Sequence, residues 1–159
     1  MPALTATTRF FQRGTTKVYF LPTIVAVNLT PTRPEITAGT DLSAEIADLA
    51  GWAVGVDMVD VPDLGSRFTA QINGSIKPEQ SSITFYGDVG GADARTNLPV
   101  DQAGFIVFMD GGDVPTKKLD VYPVKVASHS KLRTLTNAFQ ITISFSITKV
   151  PGENLTIPA

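Results

Sequence analysis

The sequence predicts an all-β chain: an antiparallel β-sandwich or barrel with one or two short helices, an N-terminal arm and a long loop. Three observations carry this. Period-2 alternation of apolar and polar residues dominates the chain. Gly- and Pro-containing turns separate the alternating runs at short intervals, as in sandwiches and barrels. The 159 residues are 43% hydrophobic and contain no cysteine, so one core must hold the fold without disulfides, which a chain of this length can do. The expected organisation is an arm over 1–16, a β-sandwich domain over 17–150 and a C-terminal tail over 151–159, the tail either disordered or lapping a neighbour.

Taken in order, "KVYFLPTIVAVN" (17–28) is broken by Pro22, which cannot donate to a ladder. It reads as an edge strand, a bulged strand or two short ones. In "GTDLSAEIADLAG" (39–51), Leu42, Ile46 and Leu49 fall on one helical face, with Thr40 or Asp41 to open a helix and Gly51 to close it. "GWAVGVDMVDV" (51–61) alternates Trp52, Val54, Val56 and Met58 with small or polar residues, and Trp52 is expected in the core. "RFTAQINGSI" (67–76) places Phe68, Ala70, Ile72 and Ile76 on one face and Thr69, Gln71, Asn73 and Ser75 on the other. Asn73-Gly74 is a strong hairpin signal, but the alternation runs through it. The expected turn is therefore at "KPEQS", pairing this strand with "SSITFYGD" (81–88). "GADARTNL" (91–98) suits a helical turn or two before Pro99. "GFIVFMD" (104–110) is a continuous apolar run, as in a strand buried on both faces. "LDVYPVKVAS" (119–128) sets Tyr122, Val124 and Val126 on one side. "AFQITISFSITKVP" (138–151) alternates Phe139, Ile141, Ile143, Phe145 and Ile147 with Gln140, Thr142, Ser144, Ser146 and Thr148.

Composition narrows function. Charged residues are 18%, net charge is −2 and pI is near 5.3, with no basic footprint for phosphates. The N-terminus lacks the pattern of a signal peptide, and no apolar run nears the ~20 residues that span a bilayer. Synthesis in a cytoplasm follows as an expectation, which leaves the sequons at Asn28, Asn73 and Asn154 as chance matches. The single histidine, His129, is flanked by serines and reads as a solvated residue. "YGDVGGAD" and "MDGGDVP" match neither the dinucleotide nor the P-loop pattern. Asp57, Asp60 and Asp63 recur every three residues, so on a strand they diverge rather than converge on a cation. No catalytic, cofactor or metal residues are assigned, and no enzyme activity is expected.

The polar faces are unusual in carrying no charge. The strand at 138–148 has none before Lys149, and "RFTAQINGSI" has only Arg67. Monomeric proteins blunt exposed edges with charge; edges like these look built for pairing with another subunit. A head-to-tail interface that closes gives a ring, and a ring of sheets is a large barrel with a lumen.

The order "EITAGTDLSAEIADLAGW", "VPD", "SSITFYGD", "AGFIVF", "LDVYPVKV", "FQITISFSIT" resembles the tail tube (major tail) proteins of long-tailed bacteriophages over about residues 15–150. Tube proteins of contractile tails and type VI secretion are similar in fold. The resemblance implies hexameric rings, stacked into a tube that conducts DNA from the capsid. The implied partners are further copies of the chain, genomic DNA passing without specific binding, the tape measure and other tail proteins. No cofactor is implied and no membrane insertion, and the implied location is the virion tail after synthesis in the host cytoplasm. On that reading Thr69, Gln71, Asn73, Ser75, Gln140, Thr142, Ser144, Ser146 and Thr148 line the lumen, with Asp57 or Asp60 near its mouth. The alternative for this face is a solvated or inter-sheet surface. Phe10, Phe11, Arg13, Arg33, Glu35 and Leu42 are expected to touch neighbouring subunits, through the arm and through 29–50 reaching an adjacent ring. The alternatives are that the two phenylalanines pack on their own domain and that 29–50 is an ordinary surface loop. For the whole chain, the alternatives are a monomeric β-sandwich binding module, or another ring or shell component of a phage, bacteriocin or secretion device.

Overall fold

Alternation puts every second side chain on one side of a pleated strand, and here it builds antiparallel pairs throughout. The structure is a computed structural model and describes residues 2–159. The chain is all-β with two short helices and forms two compact units. The first comprises the segment up to Glu45, residues 103–124 and residues 149–159; the second comprises 46–102 and 125–148.

In the first unit, β1 (Lys17–Leu21) pairs antiparallel with β2 (Thr40–Asp41) on one side and β7 (Ala103–Met109) on the other. The start of β8 (Lys118–Leu132) follows β7 in the sheet and carries β10 (Gly152–Thr156). Pro22 ends β1, and residues 23–28 form no second strand. The apolar run of β7 is buried on both faces: Ile106, Val107 and Met109 are fully enclosed. Leu21, Ile24, Ile36, Leu119, Val121 and Ile157 join Val107 and Met109 in the core. The C-terminal residues, expected either to be disordered or to lap a neighbour, form a strand on the chain's own β8. Leu155 pairs with Leu119 and Ile157 is buried beyond it, because "ENLTI" brings its own apolar residues to the open edge of β8.

Residues 39–51 are not a helix. They form β2, a 3₁₀ turn at Ser43–Glu45 and β3 (Ile46–Ala50). A thin stripe of three apolar residues gives a helix little to bury, whereas as a strand the segment pairs along β6. The helix lies earlier, at α1 (Arg33–Ala38), with Thr32 at its N-cap and Pro in its first turn. Glu35 Oε2 accepts from the Thr32 N–H at 2.6 Å and its hydroxyl at 2.9 Å, and Oε1 accepts from the Val25 N–H at 2.9 Å. Those donors, the Thr32 N–H first, hold the Glu35 carboxyl below its usual range.

In the second unit, β6 (Ser81–Tyr86) lies between β3 and β9 (Gln140–Ile147), with β9 beside β8. Cross-strand pairs Phe85–Ile141 and Ile83–Ile143 are fully buried, with Leu98 and Val126. β4 (Val54–Val61) and β5 (Ala70–Pro78) form a separate two-stranded ribbon. The expected β5–β6 hairpin is absent. β5 ladders with β4, continued by Glu79 N–H to the Ala53 carbonyl at 2.9 Å, and has no buried face to offer β6. Trp52 lies in the turn before β4, half-buried, at a φ of 63°. Its Nε1–H donates to the Ser82 carbonyl at 3.1 Å, and its ring meets Phe145 at 5.5 Å.

The short helix α2 (Ala94–Asn97) falls in the 91–98 stretch, capped by Asp93. The Asp93 side chain is 2% exposed and takes Arg95 Nε at 2.8 Å and Nη2 at 2.7 Å. The Arg95 side-chain hydrogen bonds hold the Asp93 carboxyl below its ordinary value, against the opposing effect of burial. A depressed carboxylate contributes stability that is complete above the unfolded pKa and is lost as pH falls through the folded one. An Asp93→Asn chain is therefore expected to melt below wild type at neutral pH. The gap should close on acidification below about pH 4, as thermal melts across a pH series will show; a gap that persists unchanged into acid contradicts the assignment.

Candidate functional site

Residues directly opposite in an antiparallel pair share a face. On β6 and β9 the register therefore stacks Ser82 on Ser144, Thr84 on Thr142 and Tyr86 on Gln140, on the side away from the core. The Thr84 and Thr142 hydroxyls meet at 2.9 Å, with either able to donate. Ser146 and Thr148 continue the row along the chain. β3 adds Ala50 opposite Ser82 and the exposed Asp48 opposite Thr84. The result is a wall of hydroxyls and amides whose only charge on these three strands' paired positions is an acid at the rim. Sequence reading missed Ser82 and Thr84, because it paired β6 with β5. Their alternation with Ile83 and Phe85 was the available signal.

Thr69, Gln71, Asn73 and Ser75 are not part of this wall. Thr69 precedes β5 and the other three lie on the ribbon, where Gln71 Nε2 donates to Asp60 Oδ1 at 2.8 Å. Asp57 pairs with Lys77 at 2.5 Å. His129 is half-buried rather than solvated, its Nε2–H donating to the Leu98 carbonyl at 2.7 Å. Among the described residues no cluster of His, Asp or Glu side chains is placed to hold a metal.

The residues expected at subunit contacts divide. Phe11 and Arg13 are exposed in an arm without regular structure. Phe10 lines a cleft of its own unit with Asp110, Lys117, Lys118, Asp120 and Asn154, yet stays 55% exposed. Arg33 is engaged internally, with Nη1 to Asp113 Oδ1 at 2.7 Å and Nη2 to the Pro158 carbonyl at 2.9 Å. Glu35 anchors α1 as described. Leu42 is 4% exposed, so the chain's own core takes the side chain that was expected to face a neighbour.

The ribbon shows what the sequence did not. The apolar residues of the ribbon and its connecting loop are exposed: Val56, Met58, Val59, Val61, Phe68, Ile72 and Ile76. Its register shifts between the Val56–Ile76 and Met58–Asn73 pairs, with Asp57 alone facing Gly74 and Ser75. This is a β-bulge, two residues opposing one. It explains why alternation passes through Asn73-Gly74 without a turn. A Cβ on Gly74 would stand 2.7 Å from Val59 Cγ2 and 2.9 Å from the Asp57 carbonyl oxygen, so the bulge closes only with glycine there.

An all-β chain with an uncharged wet wall and exposed apolar strands has the features of an assembling structural protein. The sequence profile of the phage tail tube proteins matches residues 4–159, and the chain belongs to that family. It is accordingly a structural component of a phage tail. No curated protein matches it in sequence. Among solved structures it is similar to a chain of the anti-feeding prophage (AFP) baseplate, solved by cryo-electron microscopy with 6-fold symmetrisation. That likeness has a TM-score of 0.57 at 10% identity over 94% of this chain and 95% of that one, and is a likeness of fold.

Proposed function

We propose that the chain forms hexameric rings which stack into the tail tube, and that the β6–β9 wall faces the lumen through which DNA leaves the capsid. The uncharged wall carries this reading. A solvent-facing sheet in a soluble protein is ordinarily studded with Lys and Glu, and an inter-subunit face is apolar. A surface that is wet and carries few charges binds water while offering a polyanion little counterion-release gain, since the cation that the neighbouring β8 adds, Lys125, is paired with Asp101 at 2.8 Å. The ring aligns these walls, and Asp48 at the rim adds weak repulsion. The role is passive: the subunit supplies shape and hydration and performs no chemistry. Ring neighbours, the tape measure, other tail proteins and transiting DNA are the partners. The exposed arm with Phe10 and Phe11 supplies contacts between copies, since paired exposed aromatics invite burial.

Negative-stain electron microscopy of the purified chain tests the assembly. Rings or tubes about 100 Å wide are expected, the scale of six domains of ~15 Å radius of gyration around a channel. A chain that remains monomeric at high concentration contradicts it.

A further inference from the structure

The bulge in the β4–β5 ribbon fixes an Asn-Gly pair in an exposed and weakly held stretch of chain. Asn73 lies opposite Met58, and Gly74 and Ser75 together face Asp57. In a bulge the ladder is locally disrupted and the extra residue goes unpaired. The ribbon is a sheet of only two strands, an arrangement with little stability of its own, so opening it locally costs less than opening the core strands. Asn73 is exposed, and its carboxamide makes no hydrogen bond among the described residues, whereas the Gln71 amide on the same side is held by Asp60 at 2.8 Å.

We propose that Asn73 is a site of spontaneous deamidation. The main-chain nitrogen of Gly74, once deprotonated, attacks Cγ of Asn73. The bond from that nitrogen to Cγ forms, the Cγ–Nδ2 bond breaks, and the amide nitrogen leaves as ammonia with the proton that Gly74 gave up. The product is a five-membered succinimide, which water opens. Addition at Cγ restores the ordinary backbone with an aspartyl side chain. Addition at the main-chain carbonyl carbon leaves the backbone running through Cβ and Cγ, an isoaspartyl link. Water is the co-reactant and ammonia the product released. Glycine makes the step accessible, since no Cβ shields the attacking nitrogen. Asn28, Asn97 and Asn154 precede Leu, and Asn137 precedes Ala, whose side chains crowd the same position. The bulge also keeps Gly74 in place, because a Cβ there would meet Val59 Cγ2 at 2.7 Å and the Asp57 carbonyl oxygen at 2.9 Å. The fold thus requires the residue that makes its neighbour labile.

Either product adds one negative charge to a chain whose formal net charge is −2. From the register, the new carboxylate shares its side of the ribbon with Asp60, and like charges on neighbouring positions destabilise a pair of strands. The isoaspartyl form also lengthens β5 by a backbone atom where the register has already shifted. The pairs beyond it, Val59–Ile72, Asp60–Gln71 and Val61–Ala70, lose their alignment, while those from Val54–Pro78 to Val56–Ile76 keep theirs. Deamidation therefore loosens one end of the ribbon and makes it a record of the age of the chain.

The experiment incubates the purified full chain at neutral and at mildly alkaline pH, beside the urea-unfolded chain and Asn73→Gln. Peptide mass spectrometry locates the change of mass, and methyl transfer by an isoaspartate methyltransferase counts the isoaspartyl links. The expected result is conversion at Asn73 in the folded chain, faster at the higher pH because the deprotonated amide is the nucleophile. Asn28, Asn97, Asn137 and Asn154 should stay intact, and Asn73→Gln should lose the methyl label. If Asn73 of the folded chain survives an incubation that converts the unfolded chain, the ribbon's ladder blocks the attack and the proposal is wrong. Conversion centred on another asparagine, or a label undiminished in Asn73→Gln, overturns it as well. The proposal does not rest on the tube reading, and each of these outcomes leaves that reading as it stands.

Discussion

Tubes carrying Thr142→Lys and Ser144→Lys are expected to assemble normally and to eject DNA markedly more slowly than wild type. Both positions lie on the face of β9 away from the core, half-buried among Ser82 and Thr84. A lysine there extends off the sheet and leaves the Ile141–Phe85 and Ile143–Ile83 pairs beneath it undisturbed. In a tube the new charges repeat in every subunit of every ring, lining the path with cations. Each phosphate they neutralise releases counterions, which makes the retained DNA salt-sensitive with a slope of about −0.9 in log–log terms per contact on duplex DNA. Raising the salt should therefore restore much of the lost speed. Ejection timed by fluorescence at two ionic strengths measures both effects. Ejection at the wild-type rate from tubes verified as assembled would remove β9 from the lumen.

Gly51→Ala is expected to cost about 2–5 kcal/mol, combining roughly 1–2 for a left-handed non-glycine residue with roughly 1–3 for forced overpacking. Gly51 has a φ of 79°, and a Cβ there would overlap the Gln80 carbonyl oxygen and stand 2.8 Å from Ser81 Cα, both backbone atoms. The turn cannot shed the strain onto its neighbour. Trp52 already sits at a φ of 63°, held by its N–H to Ser81 Oγ at 3.0 Å and its indole N–H to Ser82. For a chain of this size the loss corresponds to a melting temperature lower by about 4–20 °C. A melt within a degree or two of wild type would show that the β3–β4 turn relaxes, contrary to the packing seen around Gln80.

The strands were legible where alternation met burial. β9 and β7 announce themselves by an amphipathic row and a solid apolar run, and each lies within a residue or two of its expected place. Partner choice was not legible, because period 2 is the same whichever strand lies alongside; hence β6 was paired with β5 and not with β9. The 39–51 helix failed because Leu42, Ile46 and Leu49 fit either period over so short a span. The true helix at 33–38 had its signal in Thr32, Pro34 and Glu35, a cap without an apolar stripe to draw attention to it. The lumen candidates on β9 share one face with Ser82 and Thr84, whereas those at 69–75 lie on and before a ribbon strand. Their sequence patterns are alike, and only the register, with a bulge that no composition rule marks, tells them apart.

The burial of Ile157 bears on the order of events during synthesis. The first unit draws on β1 near the start of the chain, β7 past residue 100 and β10 at 152–156, so its contacts are among the most distant in sequence that the fold contains. Such pairings form late. While the ribosome is still adding residues, Leu119 and Val121 lack the strand that covers them, whereas every segment of the second unit has been made by residue 148. The second unit, with its apolar ribbon, can thus be complete before the first one closes. A chain released in that order would present its apolar ribbon ahead of a finished first unit, which makes the docking of β10 over Leu119 and Val121 the step during which a holding chaperone has most to protect.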